Sequence, residues 1–199
     1  MKQEHFYRLK QGIHVWNAFV EAERGEHYFK PDLSEANLKG ADLRHADLKG
    51  ADLFKADLSG SDLERTNLEG ANLFNATLLG ANLQNANLFG ADLREANLQG
   101  ANLRSARLLI ANLQGADMQD ANLQEADLFN ASLEEANLEG ANLKNASLKE
   151  ANLKRANLSG AILNGSILVK ANLQEANLKK AKMAGADLEG AKMLGARLY

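Results

Sequence analysis

The sequence predicts an all-β solenoid of four sides preceded by a short α-helical cap, and three observations carry that expectation. From Pro31 to Tyr199 a five-residue register runs without a slip, giving 34 units, the last one truncated. The central position of the unit is Leu in 31 of the 34 and Met in the others, Met118, Met183 and Met193. Over the first half of the repeat, Gly stands two residues after the centre in alternate units, at 40, 50, 60, 70, 80, 90 and 100.

A period of five suits neither standard element. On an α-helix each step of five turns the side chain by about 140°, so the leucines would scatter around the cylinder with no apolar stripe. On a flat strand, five is odd, and successive leucines would point to opposite faces. A chain that turns a corner once per unit aims every Leu at one axis, and its coils then stack only on their neighbours. The glycine alternation sets the number of sides. A type II turn needs positive φ at its third position, which Gly supplies, and stacking like corners on like requires an even number of units per coil. Four units per coil is the economical choice, and equivalent positions then stack by twenties.

Residues 1–30 form a leader. Phe6, Leu9, Ile13, Trp16 and Val20 recur at spacings of 3, 4, 3 and 4, which makes one face of an amphipathic helix able to lie over the first coil. An open solenoid end exposes apolar core and unpaired backbone, so such a lid is expected. The single proline, Pro31, marks the switch to the repeat. Residues 31–199 are the solenoid. Two places before each centre stands Ala, except at Pro31, Ser61, Thr66 and Ser166. With four Leu and four Ala per coil the tube is filled, each Leu contributing roughly 1.5–3 kcal/mol before chain entropy is subtracted. Asp or Asn precedes the centre in 25 units, where its short side chain can bond neighbouring amides. The repeat runs to "AKMLGARLY" with no second helical lid, so either the last coil meets another subunit or this end frays; a two-fold end-to-end homodimer is the preferred expectation.

Tandem A(D/N)LXX, as in "ANLKGADLRHADLKGADL", resembles the pentapeptide-repeat family over residues 31–199. The resemblance implies a right-handed quadrilateral β-helix. Residues 9–33 resemble the leader of many bacterial members, with its Gly-x-x-x-Trp-Asn motif at Gly12, Trp16 and Asn17. The end-to-end dimer is similar to arrangements in the family. Members conferring quinolone resistance are thought to mimic duplex DNA in shape and charge and to bind DNA gyrase.

Chemistry is sparse. The histidines, His5, His14, His27 and His45, lack metal-site spacing and read as surface or cap residues. The aspartates lack the Gly-rich spacing of calcium β-rolls, and Thr66 and Thr77 alone make no rank for ice binding. No pair of carboxylates is singled out for acid–base work, and no P-loop or dinucleotide fingerprint stands in strand–helix context. No enzyme activity, cofactor or metal is expected. The chain has no Cys, no apolar run of membrane-span length and no secretory h-region, so the cytoplasm is the expected compartment and neither membrane nor nucleic acid is an expected partner.

The outer surface holds the functional clues. With four units per coil, Phe89, Leu109 and Phe129 fall into one column about 4.8 Å apart, with Ile110 adjacent; Phe54 stands over Phe74 in another. The stretch "ARLLIANL" (106–113) is thus the middle rung of an apolar ladder on an otherwise polar wall. Two readings stand side by side: stacked side chains that staple neighbouring coils, or a patch for a protein partner. Charge is uneven too. Residues 31–70 carry nine acidic against five basic groups, residues 71–130 six against three, and residues 131–199 seven against ten. Asp32, Asp42, Asp47, Asp52, Asp57 and Asp62 form an acidic collar, while Lys179, Lys180, Lys182, Lys192 and Arg197 make the far end basic. Acidity this mild, reversing along the rod with the register never broken by a projecting loop, favours a structural or protein-interaction module over a DNA-mimicking gyrase binder.

Overall fold

A parallel backbone bridge joins each residue before a centre to its equivalent four units on, from Asp32↔Asp52 to Asn177↔Arg197. One turn of the chain is therefore four units, and the protein, described here by a computed structural model over residues 1–25 and 29–199, is a four-sided β-helix. The hydrogen bonding repeats as strictly as the sequence. The central amide donates to a carbonyl of the coil ahead (Leu103 to Asn122, 2.7 Å), and the Asn or Asp amide donates to the coil behind (Asn102 to Ala81, 2.9 Å). Ala then donates to the preceding central carbonyl, closing the corner (Ala106 to Leu103, 3.0 Å). Each coil thereby satisfies the backbone of the next.

Every central residue from Leu33 to Leu178 is at most 2% exposed, Met118 included, and the inward alanines of the same stretch are buried with them except Ala41, which is half-buried. The exceptions to Ala keep their hydroxyls bonded. Ser61 donates to the Leu58 carbonyl (2.7 Å), Thr66 to Leu43 (2.7 Å) and Ser166 to Leu163 (2.8 Å). Outside, the Asx side chains do double duty. Their Oδ1 accepts the amide two residues on, and asparagines stack in ladders, as in Asn102 to Asn82 (3.0 Å), Asn122 to Asn102 (3.1 Å) and Asn142 to Asn122 (3.2 Å).

Two expectations are corrected. Positive φ is not confined to the glycine corners: all 33 corners have it, 19 of them at non-glycine residues with φ between 51° and 61°. Asn, Glu, Lys and Arg occupy a left-handed conformation that L-residues adopt at some cost, because the ladder on both sides leaves the chain no other path. The leader, in turn, is two helices rather than one. Helix α1 spans Gln3–Lys10 and α2 spans Ile13–Arg24, separated at Gly12, whose φ of 111° no helix admits.

Together the helices imitate a missing coil. Trp16 and Val20 are fully buried on the first coil and Leu9 nearly so, with Phe6 and Ile13 packed beside them. Trp16 Nε1 donates to the Asp47 carbonyl (2.9 Å), and Asn17 both donates to the His45 carbonyl (3.0 Å) and accepts the Asp47 amide (2.8 Å). Arg24 binds the Asp47 carboxylate and the Lys49 carbonyl. The Asp32 amide, which elsewhere in the helix would donate to the coil before, donates to Nδ1 of buried His5 (2.8 Å). The reading of His27 lies outside the described residues.

Burial holds the His5 imidazole below its ordinary value of 6.5, with Lys2 pushing the same way and Asp32 and Glu4 opposing. A base whose folded pKa is depressed contributes stability that is fully present above pH 6.5 and is lost as the pH falls through the lowered folded value. Protonation also removes the acceptor for the Asp32 amide. Mild acid is therefore expected to loosen the cap before the solenoid, giving a change in the fluorescence of Trp16, the single tryptophan. His5→Gln should abolish that step and leave the acid unfolding of the repeat in place.

Candidate functional site

The four-unit coil places Phe89, Leu109 and Phe129 in one column, since Gly90 bonds the Leu109 carbonyl (3.0 Å) and Ile110 bonds the Phe129 carbonyl (2.9 Å). Phe89 is 38% and Ile110 46% exposed, with Leu109 and Phe129 half-buried between polar flanks. Ile110 leans over the Gly90 corner, next to Phe89, so it stands on the same wall as the three-rung column. Phe54 and Phe74 behave differently. They are half-buried and stacked (centroids 5.9 Å, 27°), with Lys55 over one ring at 5.1 Å and Arg94 over the other at 5.2 Å. That pair has its own partners and lies in a different column from the Phe89 ladder.

Ile110 stands out on backbone grounds. It occupies a corner with φ of 51°, and it is the one β-branched residue among the 33 corners. A left-handed conformation costs an L-residue roughly 1–2 kcal/mol, and most for a branched side chain. Little burial offsets that cost here. Such strain persists where the side chain serves something besides stability.

Arg107 shares the patch. Asn87 bonds Asn67 (3.1 Å), and Asn67 bonds Asp47 (3.2 Å), but Arg107 ends that ladder where the next asparagine would stand. Among the described residues Arg107 makes no side-chain hydrogen bond or ion pair. Asp127, stacked one coil away, uses Oδ1 only for the Phe129 amide (3.1 Å). Several other arginines are tied down, as in Arg44 with Asp42, whose carboxyl is drawn down to about 2, Arg94 with Asp92, and Arg155 with Glu134 and Glu135.

One feature was missed in the sequence. Beside the patch lies a groove of about 600 Å³ lined by Arg24, Phe29, Lys49, Gly50, Glu69, Gly70, Phe89 and Gly90. Its floor is the glycine corners 50, 70 and 90, stacked in one column that Ile110 then closes. Counting glycines by twenties rather than by tens reveals it. Lys49 and Glu69 form an ion pair on its wall (2.9 Å). Among the described residues, no three His, Cys, Asp or Glu side chains gather as a metal would require, and no helix is long and apolar enough to cross a membrane.

The family described as pentapeptide repeats matches in eight copies from residue 32 to residue 199. The chain is similar to the crystal structure of HetL, a pentapeptide repeat protein involved in heterocyst differentiation regulation from the cyanobacterium Nostoc sp. strain PCC 7120. Identity is 34% over 90% of this chain and 94% of that one, with a TM-score of 0.57. It is also similar to a trypsin-treated variant of QnrB1, a plasmid-mediated fluoroquinolone resistance protein, at 20% identity over 85% and 89% of the two chains and a TM-score of 0.67. No curated protein sequence matches. The shared fold is a right-handed quadrilateral β-helix, and the two N-terminal helices fit a cap.

Replacing Ile110 by Asn, which already stands at corners 75, 85, 130 and 145, removes the branched left-handed residue. The variant is expected to be more stable than the parent by about 1 kcal/mol in thermal or denaturant unfolding.

Proposed function

Because the chain belongs to the pentapeptide repeat family, we propose that it works as a non-enzymatic rod in a bacterial cytoplasm, presenting one face to a protein partner. The observation that carries this reading is Ile110. A strained, exposed apolar corner is retained beside Phe89, Leu109 and Phe129, whereas other exposed apolar residues of the repeat, such as Leu79 and Ile167, stand between polar ones in their columns. Buried apolar anchors are what give a protein interface its energy, and a fixed solenoid loses little entropy on presenting them.

The last coil is a second, weaker docking face. Its Met183, Leu188 and Met193 are only partly covered and Leu194 is 78% exposed, which supports an end-to-end homodimer. Such a dimer brings Lys179, Lys180, Lys182, Lys192 and Arg197 of both copies together, and that repulsion opposes it.

Likeness to QnrB1 supports a common fold, and the charge distribution opposes DNA mimicry. Acidity is concentrated in residues 31–70, and residues 131–199 are basic. Purified protein is accordingly expected to leave gyrase supercoiling unaffected at micromolar concentration; inhibition there would favour the DNA-mimic reading.

The partner reading is tested by affinity capture with immobilised protein. Phe89→Ser with Phe129→Ser should abolish capture of a protein that the parent retains, whereas Phe54→Ser with Phe74→Ser should not. Unchanged capture by the first pair would reduce the ladder to a staple between coils.

A further inference from the structure

We infer that the patch docks on a second copy of this chain, laid side by side and antiparallel, with a two-fold axis crossing the rods between the Leu109 and Phe129 rungs. This rests on the interaction reading given above and names the partner.

Charge sets the direction of the pairing. The segment 31–70 carries nine acidic against five basic groups and the segment 131–199 seven against ten, with the apolar rungs between them. Parallel copies would set acidic on acidic and basic on basic. Antiparallel copies set each acidic end against the other's basic end and bring the two apolar patches together at the middle.

Symmetry and side-chain identity set the register. With the axis in the interface and perpendicular to the rods, each column faces the same column of the partner read backwards. An axis through the Leu109 rung would set Arg107 against the partner's Arg107. Half a step on, Arg107 faces the partner's Asp127, twice over by symmetry. These are a cation that makes no side-chain bond among the described residues and a carboxylate that bonds only its own turn. The same register sets Leu109 against the partner's Phe129 and Phe89 against the partner's Lys149, a cation over an aromatic face.

Shape agrees with that register. At the corners this register places the partner's Glu150 and the partner's Lys170 opposite Gly90 and Gly70, two glycines on the floor of the groove. Long side chains thus enter where the facing chain has none, and the partner's Lys170 arrives beside Glu69 on the groove wall.

Sedimentation equilibrium with charge reversals tests the arrangement. The parent should dimerise, and small-angle scattering should show a particle that thickens without doubling in length. Arg107→Asp alone, or Asp127→Arg alone, should weaken the dimer at least about tenfold. Mixing the two single variants should restore it, because a mixed dimer carries two like-signed pairs fewer than either variant alone: one interface contact joins the native Arg107 to the native Asp127, and the other joins the two exchanged charges. No effect within one chain produces that rescue. A parent that stays monomeric, a dimer of doubled length, or single reversals without effect or without rescue on mixing overturns the inference. A monomeric parent that still captures another protein through Phe89 and Phe129 overturns only this inference, and loss of both overturns the interaction reading as well.

Discussion

Everything in this molecule depends on the chain turning a corner every fifth residue, with the corner residue held at positive φ. Four such corners bring the backbone back above itself, and the ladder between coils is then complete: central amides donate to the coil ahead and Asx amides to the coil behind along almost the whole length. No element is stable alone. A single coil has no regular strand and no helix, and its leucines find neighbours only when another coil stacks on it. The cost of 19 left-handed non-glycine corners is met collectively by the packed Leu and Ala tube and by bonds that leave no alternative path.

The same dependence explains the ends. A coil with nothing above it has amides and carbonyls pointing at empty space, and on two sides of the first coil, at Asp32 and around Asp47, the leader answers them. Asn17 is the clearest case, its amide offering one donor and one acceptor to the His45 carbonyl and the Asp47 amide as a peptide group would. Trp16 supplies the apolar plug and one more donor. Gly12 lets the chain double back so that both helices lie on the same opening.

Most of the architecture was legible because the repeat is so regular that one inference applied to all 34 units. The core, the four sides and the neighbours of each outward residue all follow from the period and from which positions are apolar. The glycine alternation points to the right number of sides, yet Gly is not what creates positive φ: the ladder imposes that conformation on Glu, Arg and Ile equally. What Gly adds is absence of bulk, which becomes visible only as the groove over 50, 70 and 90. The leader was read as one stripe because Gly12 falls between Leu9 and Ile13 without disturbing their spacing. Periodicity records which side chains face inward but is silent about a backbone reversal between them. The surroundings of Arg107 and Arg94 were beyond reach for a related reason. Both are arginines on a polar wall, and only geometry shows Arg94 bound to Asp92 and Arg107 without such a bond among the described residues.

A solenoid of this kind separates stability from function unusually cleanly. Two of every five positions face inward and carry nearly all the apolar burial, and the Asx position carries the ladders that stiffen the wall. The remaining positions are free to vary, so a departure from the polar norm there has no structural cause by default. Phe54 and Phe74 depart from it and are compensated, each ring stacked and covered by a cation. Ile110 departs from it and is not, sitting in a conformation its branching disfavours, and on the same rung Arg107 replaces the Asx that the ladder expects without gaining a side-chain bond among the described residues. Both losses fall on the wall that also holds Phe89 and Phe129. In a fold where every neighbour is set by counting, two local losses converging on one spot are the mark of a surface shaped for something outside the chain.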